Sequence, residues 1–234
     1  MQTTNLFCFS YAGASVHALR PLKEQLASGV NFKPVERPGR GSRITENLLL
    51  TIEEVVEDAL EVIEGQWDEP YAFYGHSMGT TVAFALVMRL LDAGLPLPQH
   101  LFFSGKMDVW QKPDLKNRHL LGPEEFWQEL RDFGGMPEEL LSDKSAMEFF
   151  EPIIRADFHA VETYVHEDPR KVDIPITGFI GINDPYYVHE KSWADRTTQK
   201  CKIHKFAGGH FFINKNFSRV GMIISEALLE PKRV

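Results

Sequence analysis

The chain has 234 residues, 43% of them hydrophobic, and a formal net charge of −8. That length suits one domain with a full apolar core. No apolar run approaches the 18 or so residues of a membrane helix, no run of Lys and Arg offers a nucleic-acid footprint, and the N-terminus lacks the order of a secretion signal. Two cysteines, Cys8 and Cys201, are too few for a disulfide framework, so the expected setting is cytoplasmic, without membrane or nucleic-acid partners.

In chain order, Leu6-Phe7-Cys8-Phe9 reads as a strand that runs into a small-residue loop, Ser10-Tyr11-Ala12-Gly13-Ala14-Ser15. A helix is expected after it, up to Leu26. Residues 30–35 make a weaker strand candidate, which Pro34 leaves as an edge strand or as no strand at all. Pro38-Gly39-Arg40-Gly41 is a turn-rich loop. Residues 51–64 form the clearest helix: Ile52, Val55, Val56, Ala59, Leu60 and Ile63 make one stripe, and Thr51 with Glu54 makes a capping box. Tyr71-Ala72-Phe73-Tyr74, after Pro70, is a buried strand. From Met78 the pattern turns helical through Val82, Ala83, Leu86, Val87, Leu90 and Leu91, and Gly94 stops it.

Residues 100–104, 174–180 and 203–206 give three more strands, and a helix over 217–229 closes the chain. Strands alternating with helices imply a mostly parallel sheet covered on both faces. Residues 113–168 break the rhythm with helical patterns alone. Phe126, Trp127, Leu130 and Phe133 give one apolar stripe, ending at Gly134-Gly135. Phe149, Phe150, Ile153, Ile154, Phe158, Val161 and Val165 give another. The expectation is one domain over residues 1–234 with a helical lid inserted at about 113–168. Ligands of open α/β sheets bind at the strand carboxyl ends, which such an insertion would cover; a purely structural cap is the plainer alternative.

Gly75-His76-Ser77-Met78-Gly79 carries the chemistry. G-x-S-x-G between a strand and a helix is a nucleophile elbow, which lifts a serine hydroxyl to the top of a sheet. A Cβ at either glycine would clash with neighbouring backbone. Ser77 then sits at a helix N-terminus, which favours developing negative charge.

A serine needs a base, and on this kind of fold the order is Ser, then Asp or Glu, then His. Asp184 follows the strand at 174–180 and His210 follows the strand at 203–206, each just past a strand end. His210 is the candidate base and Asp184 the candidate orienter. His17 could also line the pocket and ranks below His210. His76 reads as a packing or hydrogen-bonding residue, His159 and His166 belong to the inserted helices, and His189 and His204 lack a glycine turn. Asp173 sits at the wrong end of its strand, Asn183 carries no charge, and Asp195 reads as helix surface. The oxyanion hole needs two main-chain N–H groups: Met78, after the nucleophile, and one from the loop at residues 11–14, most naturally Ala12.

With these residues in place the chain resembles the type II thioesterases, the stand-alone editing hydrolases of non-ribosomal peptide and polyketide synthases. The matching segments are Phe9-Ser10-Tyr11-Ala12-Gly13, Glu36-Arg37-Pro38-Gly39-Arg40-Gly41, Tyr74-Gly75-His76-Ser77-Met78-Gly79, Phe133-Gly134-Gly135-Met136-Pro137 and Gly208-Gly209-His210-Phe211-Phe212. Ala14 stands where many members have a second glycine, and Asn183 where the family is often acidic. The resemblance implies an α/β-hydrolase fold, Ser77 as nucleophile, Asp184 as orienter, His210 as base, and Ala12 and Met78 as oxyanion donors. It implies no cofactor or metal of its own; the substrate would be an acyl group on the phosphopantetheine arm of a carrier protein. A monomer is expected. Lys106, Lys112, Lys116 and Arg118 are candidates for a basic docking patch facing an acidic carrier domain. A general small-ester carboxylesterase or lipase is the alternative enzyme. A chain-terminating cyclase fits the short chain less well, and a binding protein that lost the chemistry would lack a triad residue.

Overall fold

The computed structural model describes residues 3–106, 117–185, 187 and 193–229. The strands are β1 (Thr4–Phe9), β2 (Val30–Pro34), β3 (Tyr71–His76), β4 (Leu101–Ser104), β5 (Ile176–Gly181) and β6 (Cys201–Phe206). They form one sheet in the order β2-β1-β3-β4-β5-β6, and every pairing is parallel. β1, β3, β4 and β5 are buried along their whole length, as near-continuous apolar strands covered on both faces must be. β2 is the edge on its side, so Pro34, which has no N–H to give, is tolerated opposite Cys8.

The helices are α1 (Arg20–Lys23), α2 (Ile52–Ile63), α3 (Met78–Ala93), α4 (Pro123–Phe133), α5 (Glu138–Ser142), α6 (Lys144–Thr163) and α7 (Phe217–Leu229). The expected helix up to Leu26 is shorter than its pattern. A 3-10 turn over Val16–Leu19 leads into α1, and Pro21 fits only the first turn of that helix. At α2 the capping box forms in both directions: Thr51 accepts from the Glu54 amide, and Glu54 accepts from the Thr51 amide.

One apolar layer lies between α2, α3 and the sheet, around Val55, Val82, Phe84, Leu86 and Phe103. A second lies on the other face, where α7 brings Val220 and Ile224 against Leu6, Tyr74 and Phe102. A third, smaller cluster of Phe126, Trp127, Leu130 and Ile154 holds the inserted helices together. The second predicted stripe is too long: Phe149 and Val165 are 55% and 57% exposed, so only its middle faces inward. Among the described residues, no helix is long and apolar enough to cross a membrane.

Candidate active site

The site forms at the carboxyl ends of β3, β5 and β6. The turn from β3 to α3 holds Ser77 at φ 55°, ψ −115°. A residue with a Cβ rarely occupies this region, and such strain persists only where its surroundings enforce it. Here the enforcement is visible. A Cβ on Gly75 would overlap the Gly79 and Thr80 backbone, and one on Gly79 would overlap the end of β1 at Phe9. The Ser77 amide donates to the Ser104 carbonyl at 2.7 Å. Thr80 Oγ1 lies 2.8 Å from the Gly75 carbonyl and 3.0 Å from that of Ser104, and accepts from the Ser104 amide at 3.2 Å. The elbow is thereby tied to β4 as well as β1.

His210 and Asp184 reach Ser77 from the loops after β6 and β5. His210 Nδ1 lies 2.9 Å from Asp184 Oδ2, and Nε2 lies 2.8 Å from Ser77 Oγ. A carboxylate has no hydrogen to give, so Nδ1 carries the proton and Nε2 accepts from the Ser77 hydroxyl. His210 and Asp184 are each only 4% exposed. The two loops are laced by the main-chain bond from Asn183 N–H to the Gly208 carbonyl at 3.0 Å. The three residues singled out from sequence thus meet in one hydrogen-bonded chain.

The competing residues fall elsewhere. His17 is exposed, and Asn183 and Asp195 are on the surface. Asp173 binds Thr198 and Gln199 below the sheet. His159 Nδ1 bonds the Leu50 carbonyl, and His204 lies on β6. His189 lies outside the described residues.

His76 lies directly behind His210. It is fully buried, with Nδ1 2.8 Å from Ser104 Oγ and its ring 5.3 Å from that of His210. Burial, reinforced by the neighbouring His210, holds its imidazole well below the ordinary range, so His76 is a neutral packing partner. As the first residue of α3, Met78 presents one of the four leading N–H groups that have no partner inside the helix. The Tyr11 ring on the loop after β1 meets Phe211 and His76 edge-on at 5.1 and 5.7 Å.

Two residues of the inserted segment reach this end of the sheet. The Phe133 ring, at the end of α4, is 4.7 Å from that of His210. Gly135 lies so close to the Phe211 ring that a Cβ there would overlap it. Both belong to the Phe133-Gly134-Gly135-Met136-Pro137 segment picked out in the sequence.

Of the four candidate docking residues, Arg118 does not belong to a surface patch. Arg118 is buried, with its Nη1 3.4 Å from Glu162 and its Nε 3.3 Å from Glu129. Lys106 donates to Thr81 Oγ1 at 2.8 Å. Lys112 and Lys116 lie outside the described residues. A lone Arg in a loop defaults to an exposed reading, but Glu162 sits on the buried side of α6 and draws the guanidinium in.

Sequence reasoning also missed a buried partner of the loop after β1. Asp157, on α6, accepts the Gly13 N–H and pairs with Arg37 and Arg40. The one sequence signal was a carboxylate set at helical spacing among Ile153, Ile154 and Phe158, where the stripe should be apolar. No group of His, Cys, Asp and Glu among the described residues has the arrangement of a metal site.

The model of the thioesterase domain family matches residues 4–228. The gramicidin S biosynthesis protein GrsT of Aneurinibacillus migulanus is 32% identical over 210 residues, spanning 89% of this chain and 82% of that protein. Among solved structures, ClbQ from the colibactin NRPS/PKS pathway is similar with a TM-score of 0.90 at 31% identity, covering 97% of each chain. The type II thioesterase BorB from the borrelidin biosynthetic cluster is similar with a TM-score of 0.87 at 32% identity, covering 97% of this chain and 93% of that one.

Proposed function

The chain belongs to the thioesterase family, and from that premise we propose that it clears acyl groups from the phosphopantetheine arm of synthase carrier proteins through an acyl-Ser77 intermediate. The observation that carries the reading is the continuous chain from Ser77 Oγ through His210 to Asp184, with links of 2.8 and 2.9 Å.

The steps follow from the geometry. Ser77 Oγ attacks the thioester carbonyl while His210 Nε2 takes its proton. Asp184 holds the Nδ1–H tautomer and stabilises the imidazolium. The carbonyl oxygen gains negative charge at the N-terminus of α3, where the Met78 and Ala12 N–H groups receive it. The C–S bond then breaks. A thiol with a pKa of about 8.5 leaves readily, and the proton that His210 took from Ser77 passes to the departing sulfur, which frees Nε2. Water attacks the acyl-serine, its proton passes to His210 Nε2 and from there to Ser77 Oγ, and the free acid departs.

Residues of about 113–168 act as the lid, within one domain spanning the chain. Phe133 and Gly135, set against His210 and Phe211, support this role because closure over the base excludes water from the acyl-enzyme until the thiol has left. The phosphopantetheine belongs to the partner, and the chemistry described uses protein groups alone. The reading places the enzyme in the cytoplasm with its synthase, as a monomer.

The test compares hydrolysis of an acetyl-loaded carrier domain with that of a free acyl thioester and a simple ester of equal chain length. A much higher kcat/KM on the loaded carrier is expected. Equal or faster turnover of the free ester would make the protein a general esterase.

A further inference from the structure

Three buried charges meet where α6 crosses the loop after β1. Arg40 grips Asp157 with two parallel bonds, Nη1 to Oδ2 at 2.5 Å and Nη2 to Oδ1 at 2.9 Å, and Arg37 Nη2 adds a third at 2.9 Å. Burial alone would raise the Asp157 carboxyl, but the two guanidinium groups outweigh it and hold it below its usual value. The cluster is therefore ionic. Buried ion pairs contribute weakly to stability because desolvation offsets their attraction, so placement is their better-attested use.

What the cluster places is the main chain around Ala12. Arg37 Nη1 donates to the Ser10 carbonyl at 2.8 Å, and Nη2 reaches the Tyr11 carbonyl at 2.9 Å. Asp157 Oδ2 accepts the Gly13 N–H at 2.6 Å. Both peptide units flanking Ala12 are therefore held by their outer ends. No peptide bond among the described residues is cis. In a planar trans unit the C=O and N–H point in opposite directions. Fixing the Tyr11 oxygen on Arg37 thus aims the Ala12 N–H away from Arg37. Side chains of the inserted segment close on this loop: Ile154, also on α6, and Met136, between α4 and α5, lie against Gly13.

We propose that Arg37 is the positioning residue of the oxyanion hole, and that Asp157 makes the aim of the Ala12 N–H depend on α6 being seated. The proposal rests on the reading of Ala12 as the second oxyanion donor. Substrate carbonyl is then activated only when the helix that covers the site is in place, which joins closure to catalysis.

Arg37→Lys keeps a positive charge beside Asp157 but loses the planar fork that spans carbonyls and carboxylate. With an acyl-pantetheine thioester, kcat should fall about 10²-fold, as for loss of one oxyanion donor, with KM within about threefold. Binding of a trifluoromethyl ketone that forms a hemiketal with Ser77 should weaken by the same factor as kcat. A merely structural role would instead lower the fraction of Ser77 that a fluorophosphonate finally labels and leave kcat per labelled site unchanged, which would overturn the proposal.

Semisynthesis with lactate in place of Ala12 removes the N–H, and also makes the Tyr11 carbonyl a weaker acceptor for Arg37, whose share Arg37→Lys measures separately. It should cost about 10²-fold in kcat, and Arg37→Lys added to it should cost little more. If the lactate protein turns over normally, the oxyanion assignment of Ala12 fails and takes the proposal with it. If lactate is costly but Arg37→Lys is not, the assignment stands and the positioning role alone is refuted.

Discussion

Gly105→Ala isolates how tightly His210 is backed. Gly105 follows β4 at φ 66°, and a Cβ there would lie 2.7 Å from His76 Cε1 and 3.2 Å from His210 Cε1. Gly94, at the end of α3, has nearly the same backbone at φ 64°, with nothing within 4 Å of its Cβ position. An L-residue in this left-handed region costs about 1–2 kcal/mol, and overpacking a filled site adds about 1–3 kcal/mol. Gly94→Ala should therefore destabilise by about 1–2 kcal/mol and Gly105→Ala by about 2–5 kcal/mol.

The catalytic consequence differs more. His76 is fully buried, with Phe211 and Phe212 rings at 6.0 and 6.1 Å, so it yields toward His210. A displacement of about 1 Å at the base costs about 10² in rate. Urea midpoints followed by tryptophan fluorescence give the stabilities, and chromogenic thiol release gives kcat. Gly105→Ala should lose about 10²-fold in kcat, while Gly94→Ala keeps it. Equal stability losses with wild-type kcat in both proteins would refute the reasoning.

Three further outcomes are expected. Asp184→Asn leaves His210 without its charged partner and should lower kcat about 10⁴-fold with little change in thermal midpoint; steady-state thiol release checks it, and a loss under tenfold would count against the triad. Thr80→Val strips the hydroxyl that ties the elbow to β4 and should cost about 1–3 kcal/mol, read from the urea midpoint at unchanged slope. His76, neutral when folded, titrates from 6.5 when unfolded. Below pH 6.5 the unfolded chain binds the additional proton, so stability falls as pH drops through that value toward the depressed native pKa. Urea midpoints at pH 7 and pH 5 should show that slope in the wild type and a shallower one in His76→Asn; equal slopes would contradict it.

What could be read from sequence was what neighbours in the chain decide. The Thr51–Glu54 cap, the Gly94 stop and the strand–elbow–helix order around Ser77 all follow from residues a few positions apart. Asp184 and His210 were legible because each sits just past a strand end beside a recognisable turn. Arg37, Arg40 and Asp157 were not, because their partners are 120 and 117 positions apart and only the folded chain brings them together. Arg118 was misread for the same reason: Glu162 lies 44 positions away. Gly105 carries no motif at all, and its importance comes wholly from the two imidazoles packed against it.

The central claim is that Ser77, activated by His210, carries the acyl group. Rapid-quench mass spectrometry on the enzyme mixed with an acyl-loaded carrier tests it most directly. The account predicts acyl mass on the peptide containing Ser77 that forms as carrier thiol appears and decays as free acid is released, with none in Ser77→Ala. Turnover of loaded carrier by Ser77→Ala at near wild-type rate, or acyl mass on another residue, would contradict it.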